Sequence, residues 1–257
     1  TQTIYKKLLL GPLLRYHIHD MEKETFLGHV SDDALKEIVA IQDRIKKLDN
    51  SAESKQDFIA YIKNVWDGFI EGEHHKLFAK KLEAVAQGKI KRLIVNMPPR
   101  HTKSEFASVY FPSWIMGLRP DMKIMQTTHT AELSARFGRK VRNLMDTNEY
   151  KQIFENVSLS ADSKSAGRWE TNHGGEYFAA GVGGAITGRG ADLLIIDDPH
   201  SEQDALSASA LESAYEWYTS GPRQRLQPGG IIVIVMTRWS TLDLTEKLIR
   251  RMSEAHA

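Results

Sequence analysis

The sequence predicts an α/β fold, a mostly parallel sheet with helices on both faces preceded by an N-terminal helical region. Up to about residue 88 the apolar positions fall at helical spacing. After Gly88 the texture changes to short apolar runs alternating with helical stretches, the pattern of a parallel sheet built from strand–helix–strand units. Several of those runs end in charged or hydroxyl residues, at the strand ends where such sheets bind ligands.

The elements follow in order. Residues 1–57 form the helical region, in which Leu35, Ile38, Val39, Ile41, Ile45 and Leu48 predict a helix over 33–48 with Ser31 as its cap, punctuated by Asp49-Asn50-Ser51. Phe58, Ile59, Ile62, Val65, Trp66 and Phe69 repeat the pattern over 55–69, and a third helix spans 74–86 and stops at Gly88. The core, 58–257, continues with a strand over 91–97, a loop, and a helix from Lys103 that Pro112 should kink or end. A strand over 122–128 precedes a helix over 131–145, and the runs 169–171 and 176–180 flank His173-Gly174-Gly175, a hairpin signal. A buried strand over 192–196 enters Asp197-Asp198-Pro199, a helix covers 204–218, and Gly229-Gly230 leads into an apolar strand over 231–236. A basic helix over 246–251 comes last.

Composition narrows the function classes. A chain of 257 residues, 41% hydrophobic and 26% charged, has the make-up of a globular domain with room for a large core. Its net charge of +1 gives no global nucleic-acid signal, leaving only local patches for such a role. The absence of cysteine excludes disulfides, a thiol nucleophile and thiolate metal sites, and it fits a reducing compartment. No apolar run approaches the ~20 residues of a membrane-spanning helix. Leu8-Leu9-Leu10 and Leu13-Leu14 are broken by Gly11-Pro12 and do not read as a signal peptide. The expected address is cytoplasmic, and the chain reads as a fragment of something longer.

The chemistry begins at Met97-Pro98-Pro99-Arg100-His101-Thr102-Lys103-Ser104. A strand, a tight loop, and Lys-Ser opening a helix form the layout of a phosphate-binding loop. In that layout backbone N–H groups and the helix start hold phosphates, the lysine reaches the β/γ-phosphates, and the hydroxyl binds Mg²⁺. The standard G-x-x-x-x-G-K-[ST] has glycines where this chain has Met97 and Thr102. A Pro-containing turn ahead of a helix is the competing reading. Pro98 and Pro99 lack an N–H, so the available donors are those of His101, Thr102, Lys103 and Ser104. Strain falls on Thr102, because a β-branched residue resists positive φ, and the loop is expected to take a different path there.

Two other strand ends belong with this loop: Asp197-Asp198 after one apolar strand, and Thr237-Arg238 after another. Together they supply what nucleotide hydrolysis needs. Ser104 is a direct Mg²⁺ ligand, Asp197 holds the ion directly or through water, Asp198 orients or deprotonates the attacking water, and an arginine neutralises charge on the γ-phosphate. Asp197-Asp198-Pro199 also reads as a polar turn capping the next element, and Thr237 as a strand-end hydroxyl satisfying the backbone.

Pro-Pro-Arg-x-x-Lys-Ser after a strand resembles the ATPase of large terminase subunits, the DNA-packaging motors of tailed phages. So do Gly72-Glu73-His74-His75, Thr128-His129-Thr130-Ala131-Glu132-Leu133, the stretch 184–192 from Gly184 to Asp192 that runs into Asp197-Asp198-Pro199, and Thr237-Arg238-Trp239. The resemblance covers roughly residues 58–245. It implies a P-loop NTPase fold of the ASCE type, three-layered α/β/α, that binds ATP and Mg²⁺ and drives double-stranded DNA into a procapsid. It further implies a ring, commonly of five subunits, on the portal protein, a small terminase subunit as partner, and residence in the host cytoplasm rather than in the mature virion. A C-terminal nuclease domain is expected to be absent from this chain, so DNA cleavage is not expected. Most family members carry Glu where this chain has Asp198. The resemblance also sets His74 and His75 near adenine and makes Thr237 part of a coupling element.

Two arginines compete for the γ-phosphate. Arg100 would act in cis from within the loop, and Arg189, between Gly188 and Gly190, in trans on a neighbour's ATP. Arg136, Arg139 and Lys140 share a helix face that reads as a solvated basic surface, with DNA or subunit contact as sharper alternatives. Neither His74 and His75 nor His17 and His19 have spacing suited to Zn²⁺. Trp66, Trp114 and Trp217 read as core anchors.

Overall fold

The computed structural model describes residues 32–184, 186 and 188–254. The expected cap at Ser31, the early leucine runs, His17, His19, Ala185 and Thr187 lie outside them. The chain divides into two compact units, one ending at Ala52 and the other Glu53–Ala257.

Helix α1, Asp32–Gln56, does not stop at Asp49-Asn50-Ser51. Each of those residues lowers helix propensity by only a few tenths of a kcal/mol, and none removes a backbone N–H, so the helix continues. Helix α2, Phe58–Val65, begins where Asp57 Oδ1 accepts the Ala60 N–H at 2.6 Å, and it ends before the expected residue 69. Helix α3, Glu73–Ala86, ends ahead of Gly88, whose φ of 75° suits the left-handed turn that stops a helix.

The sheet has seven strands: β1 Arg92–Asn96, β2 Lys123–Thr128, β3 Leu159–Lys164, β4 Arg168–Thr171, β5 Glu176–Gly181, β6 Ala191–Asp197 and β7 Leu226–Met236. Their order is β1-β7-β6-β2-β5-β4-β3. The first five positions in that order are parallel neighbours, and β4 and β3 add an antiparallel edge. The hairpin at His173-Gly174-Gly175 is present, pairing Trp169 with Tyr177.

Alternation along the central strands makes the fold three-layered. Leu193 and Ile195 join one hydrophobic cluster with Phe58, Phe106, Trp114 and Val141, while Leu194 and Ile196 join another with Tyr218 and Leu244. Successive side chains of a strand point to opposite faces, so an unbroken apolar run is covered on both.

The segment after the loop departs from expectation. Helix α4, Lys103–Glu105, passes through a π turn, Phe106–Tyr110, into α5, Phe111–Leu118. Pro112 therefore does not end the helix. It follows directly on the π turn, where the hydrogen-bond ladder changes register and a missing N–H is tolerated. Helices α6, Ala131–Met145, and α7, Asn148–Ile153, come next, and α7 and the polar β3 have no periodicity to reveal them. The helix expected over 204–218 is a 3₁₀ turn, Asp204–Leu206, followed by α8, Ala208–Ser220, because Ser207 caps α8 by accepting the Ala210 N–H. Strand β7 starts before Gly229, which has φ 82°, and a register shift against β6 absorbs the irregularity. Helix α9 is Leu244–Glu254.

Candidate nucleotide-binding site

Strands β1, β7 and β6 lie side by side, so the loop after β1, Thr237 after β7 and Asp197-Asp198 at the end of β6 meet at one edge of the sheet. The loop does not reroute around Thr102. Thr102 takes φ 61° and ψ 11°, the left-handed conformation of a glycine, and Arg100 has φ 63°. From there the Thr102 carbonyl accepts the Phe106 N–H at 3.0 Å, and Lys103 and Ser104 open the helix. First-turn N–H groups have no intrahelical acceptor, which leaves them to bind an anion.

Asp197 is 1% exposed. Its Oδ1 accepts from Ser104 Oγ at 2.9 Å and its Oδ2 from Ser108 Oγ at 2.7 Å. Burial pushes its carboxyl up to about 7, with Asp198 adding to the rise and the two serines and Lys103 opposing it. Asp198 has φ 41° and pairs with Lys103 Nζ at 2.8 Å. Its other oxygen accepts the Thr237 N–H at 2.7 Å.

Strand β7 fastens both loops. Met97 N–H donates to Met236 O at 3.2 Å and Asp198 N–H to Val235 O at 2.9 Å, and Thr237 Oγ1 reaches Met97 O at 3.3 Å.

The oxygen pair of Ser104 and Asp197 suits Mg²⁺, a hard ion that takes few protein ligands and keeps water and phosphate as the rest. Among the described residues no three His, Asp or Glu side chains cluster as an all-protein metal cage would require.

The other predicted residues are placed as follows. Arg100 and His101 are exposed on the loop, with His101 Nδ1 2.9 Å from Pro99 O. His75 is buried and reaches Thr102, and His74 is exposed with its ring 3.9 Å from that of His75. Arg238 turns away from the loop to Asp243 at 2.7 Å and Glu246 at 3.1 Å, so the arginine expected to converge from that strand end does not join the acids. Arg189 pairs with Glu176 and lies 4.6 Å from the centre of the Phe178 ring. It precedes the start of β6, roughly 20 Å of strand away from Asp197, and so cannot serve the site of its own chain. Arg136 and Arg139 are exposed, while Lys140 pairs with Glu105. Trp114 is buried, and its Nε1 donates to Ser54 O at 2.8 Å.

Sequence reasoning missed Ser108 and Gln126. Gln126 Nε2 donates to Ser108 Oγ at 3.0 Å, completing a chain from β2 to Asp197. A glutamine directly after the apolar pair Ile124-Met125 was the available signal for it, and in the structure it is fully buried. Ser108 stands four residues after Ser104 and needed only the helix to be drawn through both.

The fold is of the α/β class, a mostly parallel sheet with an antiparallel edge and hydrophobic clusters on both faces. In fold the chain is similar to the large terminase of bacteriophage HK97, known from its crystal structure, with 14% sequence identity and a TM-score of 0.46. That similarity covers 73% of this chain, and the chain spans only 38% of the length of the terminase. No family model matches the sequence, and no curated protein matches it.

Proposed function

We propose that this chain is the ATP-hydrolysing motor domain of a viral DNA-packaging machine of the large-terminase type. The reading rests on one observation: both acids of Asp197-Asp198 are engaged by the loop, Asp197 by Ser104 and Asp198 by Lys103. A turn that merely capped the next element would have no reason to meet a Lys-Ser pair that opens a helix after a strand.

In this reading Ser104 and Asp197 hold Mg²⁺, which when bound neutralises phosphate charge. Lys103 exchanges Asp198 for the β/γ-phosphates, and the N–H groups from His101 to Ser104 take phosphate oxygens. Asp198, still oriented by the Thr237 N–H, is then released to accept a proton from water at the γ-phosphate. Either Arg100, in cis, or Arg189, from a neighbour in a ring, serves the γ-phosphate. Double-stranded DNA, the portal, a small subunit and a site of action in the host cytoplasm belong to the same proposal, through the sequence resemblance.

One observation favours a second reading, a nucleotide-dependent assembly module that does not hydrolyse. Both carboxylate oxygens of Asp198 are already engaged, one by Lys103 and one by Thr237. Phosphate release by the purified chain with MgATP decides. Turnover that disappears in Lys103→Ala and Asp197→Ala supports the motor; MgATP binding without turnover supports the module. A helicase would share the turnover but separate strands, and packaging into purified procapsids by the complete protein tells the two apart.

A further inference from the structure

His75 does more for the loop than lie close to it. It is the third residue of α3, and its Nδ1 accepts the N–H of Gly72, the residue ahead of that helix, at 2.9 Å. An imidazole nitrogen that accepts carries no proton, so in the neutral ring the proton sits on Nε2. Nε2 lies 2.7 Å from Thr102 Oγ1 and therefore donates to it. Thr102 Oγ1 in turn donates to His101 O at 2.6 Å. The three hydrogen bonds run in one direction, from the start of α3 through the imidazole and the hydroxyl to the loop backbone.

The ring itself has little freedom. It stacks on Phe106 at 5.0 Å with an interplanar angle of 18° and packs against Phe69 at 5.0 Å. His75 is 6% exposed, and burial lowers its pKa, in keeping with the neutral tautomer that the hydrogen bonds define. A rigid donor is thus aimed at the one β-branched residue of the loop with positive φ.

We propose that His75 is a positioning residue that holds Thr102 in its left-handed conformation, so that a hydrogen bond supplies what the missing glycine supplies in the standard loop. A left-handed β-branched residue persists only where its surroundings over-determine it. Here the hydroxyl that makes Thr102 unlike glycine is also the handle by which it is fixed. With both ring nitrogens engaged, His75 has no polar atom left for a nucleotide base. The inference rests on the phosphate-loop reading for its functional consequence, though not for its geometry.

The test is a mutant cycle between His75→Phe, which keeps an aromatic ring and removes both hydrogen bonds, and Thr102→Gly, which removes the need for a brace. MgATP affinity is measured by titration and thermal unfolding without nucleotide by circular dichroism. In the Thr102 background, His75→Phe should weaken MgATP binding about tenfold, the scale of one released backbone strain. Once glycine stands at 102, the same change should cost less than about twofold, the limit for uncoupled sites. Loss of the Gly72 hydrogen bond is common to both backgrounds and cancels. Thr102→Val, which keeps the branch and removes the hydroxyl without touching the aromatic cluster, should match His75→Phe.

Rescue by glycine is the result that a mere packing role would not give. An equal loss in both backgrounds, or an unimpaired Thr102→Val, overturns the proposal. Should the unaltered chain bind no MgATP, the nucleotide reading fails by itself, and the unfolding cycle still decides the brace. A destabilisation by His75→Phe that is smaller once glycine stands at 102 upholds it, and one of equal size in both backgrounds overturns it.

Discussion

Replacing Asp197 with asparagine should stabilise the metal-free protein, and by an amount that grows with pH. The carboxyl of Asp197 titrates at about 7 in the fold against 3.8 when free, because burial outweighs the two serine hydrogen bonds. Between those values the folded state holds a proton that the unfolded chain has released, so stability falls as pH rises; the loss begins above 3.8 and is complete above about 7. At 1.36 kcal/mol per pKa unit the full loss is about 4 kcal/mol, of which about 3 falls between pH 5 and 8. Asparagine is nearly isosteric and can bond both serines through its oxygen and its amide, yet it has no charge to desolvate. For a chain of this size the difference in melting temperature between Asp197→Asn and the parent should therefore widen by roughly 5–10 °C from pH 5 to pH 8. Thermal melts in EDTA at intervals across that range measure it. A difference that stays constant with pH refutes the argument, since the carboxyl would then be solvated in the fold.

Three further outcomes are expected. Ser108→Ala removes a hydrogen bond that lowers the Asp197 pKa and orphans Gln126, so it should raise the Mg²⁺ concentration needed for turnover about tenfold, read from a metal titration of phosphate release. Arg189→Ala should reduce turnover on the order of a thousandfold in an assembled ring and little in a dilute monomer, and an equal loss in the monomer would exclude action in trans. Phe58→Ala, at the meeting point of Phe106, Phe111 and Trp114, should cost about 3–5 kcal/mol in denaturant unfolding, and a cost below about 1 kcal/mol would show that the cluster carries little stability.

What could be read from the residues followed from periodicity and strand-end chemistry. The apolar runs of β6 and β7 announced strands covered on both faces, and Asp197, Asp198 and Thr237 were visible as their polar ends. That β7 lies between the loop strand and the acid strand was not visible, because pairing order is a long-range choice that leaves no local mark. The π turn was hidden for a related reason: it carries Ser108, whose hydroxyl bonds Asp197 from 89 residues away, and local propensity holds no record of such a contact. Thr102 was misjudged because the steric rule was applied to it alone. The rule holds, but the residue that offsets it stands 27 positions earlier, in another helix. Arg189 was read as one of two arginines competing for the γ-phosphate, and only the sheet's direction shows how far from the site of its own chain it stands.

The end of β7 gives the site fewer independent motions than its three segments suggest. Met97 and Asp198 hang from consecutive carbonyls of one strand, and Thr237 grips both the loop and the acid. A slide of this strand by a fraction of an ångström would carry the phosphate loop and the second acid together, preserving their mutual distance, whereas a shift of either segment alone must break a hydrogen bond to the strand. Beyond the strand the chain runs on to Asp243 at the threshold of α9, where Arg238 pairs with that aspartate. A displacement of β7 would thus reach α9 through a short, ion-paired link, residues 237–243.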